Sequence, residues 1–424
     1  YTGLTTLSGA GTVRLGAGGN LPSASGLTQT AGQFDLNGQT QTVNGAFTLT
    51  APALITNTSG TASTITATNI AGSSGHLAGN LSGNFTLTGA AASMSGTYTN
   101  TGSLTFSNAG TGAFTVSGNV LNVGNTSFNA NSTQAFTVSA PLLNPTGLVT
   151  NSGTGTGTTT ISGNLGSNVT GLVQSSTTSP LVLTGNNSAF TGPITVTGGS
   201  LQSTELNASN VSVTAGGSLS TPRLSVSGGL TINAGTLRTA LVTSNPNLSV
   251  TGQGGIYLNP GTSLPDSLNI SLNSFDSVIQ FENGSNYSVG AFSSAAGSQL
   301  SFASGASLIG SLSQSSTLTF NDTGSKSISG VITMSDANGS GLGNIVKAGS
   351  AVWVLSGGNG YTGSTTVTGG GLQIASAAVV EVLPDSTDLA LANTTGVQLD
   401  LNGKNETIGS LAGGGVNGGN VLLG

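Results

Sequence analysis

VSVTAGGSL at residues 211–219, LTINAGTL at 230–237 and LSVTGQGGIYL at 248–258 are one pattern repeated at spacings of 19 and 18 residues. In each copy two apolar side chains two residues apart, Val211 and Val213, Leu230 and Ile232, Leu248 and Val250, point to one face of an extended segment. A Gly-containing corner follows, and another apolar residue, Leu219, Leu237 or Ile256, opens the next face. A period of about 19 residues leaves no room for a helix between parallel strands, so each strand pairs best with its equivalent one coil further on. The pattern therefore predicts an all-β parallel β-solenoid of about 19 residues per coil. Val, Leu, Ile and Phe would stack inside, Thr, Ser and Asn would face out, and Gly would take the corners that need positive φ. Only IASAAVVEVL from Ile374, stopped by Pro384, has the composition for a helical turn or two.

Outward from this stretch, a longer three-part module occurs three times. It opens with YTGLTTL at Tyr1, FTGPITVTGGSLQ at Phe190 and YTGSTTVTGGGLQ at Tyr361, each carrying Gly two residues on, at Gly3, Gly192 and Gly363. A Leu-Pro pair follows at Leu21, Leu264 and Leu383, and then an Asn-Gly pair at Asn37–Gly38, Asn283–Gly284 and Asn402–Gly403. On this basis residues 1–47 are a first module and 48–182 degenerate coils; 183–292 are a second module with inserted coils, 293–354 further coils, and 355–424 a third module.

Composition narrows the function. Only 4% of the 424 residues are charged, against about 25% in an ordinary soluble protein, so Thr, Ser, Asn and Gly replace the usual charged surface. Six basic residues against twelve acidic ones leave no footprint for nucleic acid. No apolar run approaches the ~18 residues of a membrane span, so the chain is not itself membrane-spanning. The lack of Cys excludes disulfides and thiolate metal sites. Because the chain opens inside a repeat, no signal peptide is expected within it.

Candidate chemistry is sparse. His76, the only histidine, stands in AGSSGHLAG beside Ser73 and Ser74, and a hydrolase would have to join one of those serines to His76 and a distant acid such as Asp35. A corner role is expected instead, and no catalytic residue is assigned. Arg14, Arg223, Arg238, Lys326, Lys347 and Lys404 are scattered singly, unlike the grouped charges of a glycan-cleaving groove. Glu381, Asp385, Asp388 and Asp400 form the densest acidic group and the weak candidate for Ca²⁺. Solvated corners, with Asp35 and Asp400 serving a local Asp-Leu-Asn-Gly turn, are the expectation there. GNGYTG at Gly358 matches a dinucleotide fingerprint by composition alone, since no helix follows. No cofactor is expected. Trp353 and the aromatic residues Tyr1, Phe190 and Tyr361 are expected to be packed rather than displayed.

ISGVI at Ile328, GLGNIVKAGSAVWVLSGGNGYTGSTTVTGGGLQI at 341–374, the Leu-Pro pair at Leu383 and LDLNG at Leu399 together resemble the passenger-associated repeat of bacterial autotransporters. That resemblance implies a right-handed parallel β-helix displayed on a Gram-negative cell surface, and a non-catalytic passenger shaft or adhesin. Two alternatives stand beside it: a fibre subunit that self-associates end to end, and a β-helix that binds or cleaves glycans. A host-surface or glycan ligand is the partner each of these readings leaves open.

Overall fold

A computed structural model describes the backbone at 2–243, 247–251, 254–263, 344–361, 363–378 and 380–424, and in the strands between 269 and 335. Side chains are described at 2–72, 74–239, 248–250, 254–257, 344–361, 363–378 and 380–424. The chain is an all-β parallel β-solenoid with about 22 residues per turn. No helix occurs among the described residues, including those between Ala375 and Pro384, where turns and bends replace the expected helical turn.

Two compact units divide the chain, residues 1–209 with 217–220, and residues 210–216 with 221–424. In the first, a turn consists of three short strands joined by corners: Leu27–Gln29, Gln33–Asp35 and Gln41–Val43, then Phe47–Leu49, Leu54–Asn57 and Ser63–Ala67. Pairing is parallel and in register, so like residues stack. Phe85, Phe106 and Phe128 are direct partners along one inner column, as are Phe114 and Phe136 along another. Their rings follow at 5.1–5.7 Å between centroids, with Tyr98 edge-on to Phe106. Outer positions alternate with these: Thr42, Thr66, Asn84, Thr105, Ser127 and Thr150 line up on the solvent side of one sheet.

In the second unit the pattern that predicted the fold appears as drawn. Val211 pairs with Leu230 and Leu230 with Leu248, while Val213, Ile232 and Val250 form the next column, all buried. Further on, Ile345, Thr365, Leu389 and Leu411 make one column, and Trp353, Leu372, Leu399 and Val421 another.

Coil length departs from the expected 19 residues. Register steps of 22, as from Thr5 to Leu27, and 24, as from Thr365 to Leu389, occur beside the 19 from Val211 to Leu230. The coils at Val211 and Leu230 are the tight ones, and their corners use left-handed residues. Two of these are alanines, Ala215 and Ala234, each at φ 53°, where glycine alone was expected. Elsewhere a turn takes more chain, also in coils with neither a Leu-Pro nor an Asn-Gly corner, as in the 22 residues from Phe114 to Phe136.

Candidate functional site: the module corner

The repeated module is where side chains with chemistry converge. In the first module Asp35 ends the strand Gln33–Asp35, and the chain turns through Asn37 at φ 46° and Gly38 at φ 80°. Asp35 Oδ1 accepts from the Asn37 backbone N–H at 3.0 Å, and Asn37 Nδ2 donates to the Leu15 carbonyl of the preceding coil at 2.9 Å. Gly38 N donates to Asn57 Oδ1 of the following coil at 2.9 Å, so one corner is tied on both sides.

The same carboxylate also takes Arg14 Nε at 2.7 Å and Thr58 Oγ1 at 2.6 Å on Oδ2, and Thr58 N at 3.1 Å on Oδ1. Its side chain has 0% exposure, so Asp35 is not the solvated corner residue expected from the sequence. Burial raises its pKa, but the bonds from Thr58, Asn37 and Arg14 outweigh that and leave it below the usual carboxylate range.

The third module repeats the Asp–Asn part of this corner. Asn402 N donates to Asp400 Oδ1 at 2.9 Å, Asn402 Nδ2 to the Ile374 carbonyl at 3.1 Å, and Gln373 Nε2 to Asp400 Oδ2 at 2.6 Å. Gln373 does for Asp400 what Arg14 does for Asp35. Asn402 and Gly403 again carry positive φ, 50° and 72°.

A second tie joins the Asn-Gly corner to the Leu-Pro pair. Gln41, four residues after Asn37, accepts from Leu21 N at 2.7 Å and donates to the Leu21 carbonyl at 3.0 Å. Glu406, four residues after Asn402, accepts from Val382 N and Leu383 N at 2.8 Å each, one on each carboxylate oxygen. Sequence reasoning saw the two motifs travel together without seeing this clamp. The signal was present in Gln41 and Glu406 at the same offset from the Asn, obscured because Tyr287 stands there in the second module.

The opening signature packs inward. Phe190 and Tyr361 are buried, and a Cβ added at Gly192 would lie 2.9 Å from the Phe190 ring, so glycine lets the ring cover the corner. The Tyr361 hydroxyl meets Thr365 Oγ1, which meets Thr387 Oγ1 at 3.0 Å, which donates to the Gly363 carbonyl at 2.8 Å. Burial of Tyr361 pushes its pKa up to about 12. Tyr1, Asn283 and Gly284 lie outside the described residues. Gly3 is exposed, with nothing near the place of a Cβ.

The remaining candidates separate. His76 Nδ1 accepts from Thr97 N at 2.9 Å, and Ser74 Oγ accepts from Ala51 N at 2.9 Å. Each is thus tied to a neighbouring coil's backbone, and Asp35 is occupied as described above. Of the calcium candidates, Glu381 accepts from Thr407 Oγ1 at 2.8 Å, Asp388 from Ser410 Oγ at 2.6 Å, and Asp400 belongs to its own corner. Among the described residues no three acidic or histidine side chains group where they could hold a metal ion. Lys347 is fully buried, with Nζ donating to the carbonyls of Gly349 and Gly369, a role its sequence did not announce. Trp353 is fully buried in its column. No helix among the described residues is long and apolar enough to cross a membrane.

Residues 181–202, 224–238 and 345–374 match the model of the passenger-associated-transport-repeat family. The last stretch takes in the strands Val352–Leu355, Thr365–Val367 and Gly371–Ile374 and the Tyr361 signature. No curated protein and no solved structure matches the chain.

Proposed function

We propose, from the passenger-associated transport repeats it carries, that this chain is part of an extracellular β-helical passenger of a Gram-negative autotransporter, serving as a non-catalytic shaft in a surface adhesin. The observation that carries this reading is the in-register stacking of matched repeats. Strand pairs with strand from coil to coil within each unit, and the titratable side chains at the module corners are spent on those corners rather than gathered in a groove. A fold of that kind resists bending and proteolysis because each coil is hydrogen-bonded to its neighbours along continuous sheets. The test is to label and protease-treat intact cells expressing the full-length gene. Antibody access to this segment from outside, with a protease-resistant fragment spanning the repeats, is expected. A chain retained inside the cell would overturn the proposal, and an adhesion assay on the same cells would test the adhesin role separately.

A further inference from the structure

Asn-Gly pairs occur in the sequence at Asn37, Asn44, Asn283, Asn338, Asn359, Asn402 and Asn417. Such a pair is chemically labile, because glycine, without a Cβ, leaves its backbone nitrogen unhindered to attack the asparagine side chain. The two module corners are locked against this attack. Asn37 Nδ2 donates to the Leu15 carbonyl and Gly38 N to Asn57 Oδ1, at 2.9 Å each. Asn402 Nδ2 donates to the Ile374 carbonyl at 3.1 Å, and Gly403 N to the Leu423 carbonyl at 2.9 Å. Asn359 is buried, with Nδ2 donating to the Val382 carbonyl at 2.8 Å. Asn417–Gly418 belongs to a hairpin whose ends, Gly415 and Gly418, bridge each other. Asn283 and Asn338 lie outside the described residues.

Asn44–Gly45 is built differently. Asn44 is exposed at the corner between the strands Gln41–Val43 and Phe47–Leu49, where its backbone N donates to the Ser23 carbonyl at 2.7 Å. Gly45 N makes no hydrogen bond among the described residues. Thr68 Oγ1, one coil on, donates to Asn44 Oδ1 at 3.1 Å. A Cβ added at Gly45 would lie 2.5 Å from Gly26 N, so the packing of successive coils itself requires glycine after Asn44. We propose that Asn44 is a site of spontaneous modification, converted to aspartate and isoaspartate through a cyclic imide that Thr68 promotes. The Gly45 nitrogen gives up its proton to solvent and bonds to Asn44 Cγ; the Cγ–Nδ2 bond breaks and ammonia leaves, and water then opens the imide at either carbonyl. Thr68 assists by donating to the oxygen that gains negative charge as the nitrogen adds. Either product places a new carboxylate on the outer face beside Thr68. Isoaspartate also lengthens the main chain by one carbon, in a corner pressed against Gly26.

The test is peptide mapping by mass spectrometry on the full chain held folded at mildly alkaline pH, beside the same chain in denaturant. In the folded chain Asn44 is expected to convert many-fold faster than Asn37 and Asn402. In denaturant the three should convert at similar rates, because the same dipeptide is then free at each place. Both aspartate and isoaspartate are expected at residue 44, and Thr68→Val should slow that conversion several-fold while leaving Asn37 and Asn402 as they were. Conversion of Asn44 no faster than at those two corners in the folded chain overturns the proposal. So does aspartate as the sole product, the mark of direct hydrolysis, and so does an unchanged rate in Thr68→Val. Should Thr68→Val fail to fold, the rates and the product ratio in the parent decide.

Discussion

Ile232 sits between Val213 and Val250 with no exposure, while its neighbour Thr231 points to solvent. The two residues are adjacent in sequence and opposite in environment, so they report directly on which face is which. Ile232→Asp should cost several kcal/mol through burial of a carboxylate without a partner, whereas Thr231→Asp should cost roughly 0.5 kcal/mol or less. Denaturant unfolding of both variants checks this, and similar midpoints would mean the faces are exchanged. Asp35 gives a residue-scale prediction of pH dependence. Because its folded pKa is depressed, its contribution is present above the unfolded value and lost as pH falls through the folded one. Asp35→Asn should therefore weaken the first module near neutral pH and make the remaining acid-induced loss shallower, measured as unfolding midpoints across an acid series.

At the scale of the element, a strand of three or four residues is too short to stand alone, and its stability comes from the column it enters. Phe106 shows this most clearly. It is stacked between Phe85 and Phe128 at 5.7 Å on each side and meets the edge of Tyr98 at 5.6 Å. Phe106→Ala should cost about 3–5 kcal/mol, the range for removing a buried aromatic ring. Thr105→Ala, one residue away on the outer row, should stay within about 0.5 kcal/mol. In a stacked array the loss should be local, so hydrogen exchange is expected to quicken most in the strands Leu81–Leu87, Leu104–Asn108 and Thr126–Ala130. Equal quickening across the whole first unit would instead indicate that its coils unfold together.

For the molecule as a whole, assembly is the property to measure. If end-to-end contact is real, removing residues 1–47 should abolish or redirect it, because the deletion takes away the whole first module and leaves a different edge. His76→Ala should leave it unchanged, since that ring is tied only to the neighbouring Thr97 N–H among the bonds described. Sedimentation and electron microscopy of the two variants beside the parent check this. Monomers in every preparation would remove the fibre reading and leave the passenger shaft, while loss of a hydrolytic activity in His76→Ala would promote an enzyme.

The solenoid follows from the order of residues alone. Alternation with period two assigns Val211, Val213, Leu230 and Ile232 to one face, and a repeat too short for a helix forces parallel pairing with the next coil; both are local arithmetic on a single chain. The same reading puts Trp353, Phe190 and Tyr361 inside, since large rings in so uncharged a chain have nowhere better to pack. Whatever depends on which residue lies one coil away had to wait for the folded chain. Coil length is set by how many residues each corner spends, so the tight turns at Ala215 and Ala234 gave a period that the Leu-Pro coils do not keep. Asp35 is buried because Arg14 and Thr58, 21 and 23 residues distant, close over it. Glu406 finds Val382 and Leu383 only after the chain has gone once around. Those distances vary from module to module, and no fixed spacing along the sequence encodes them.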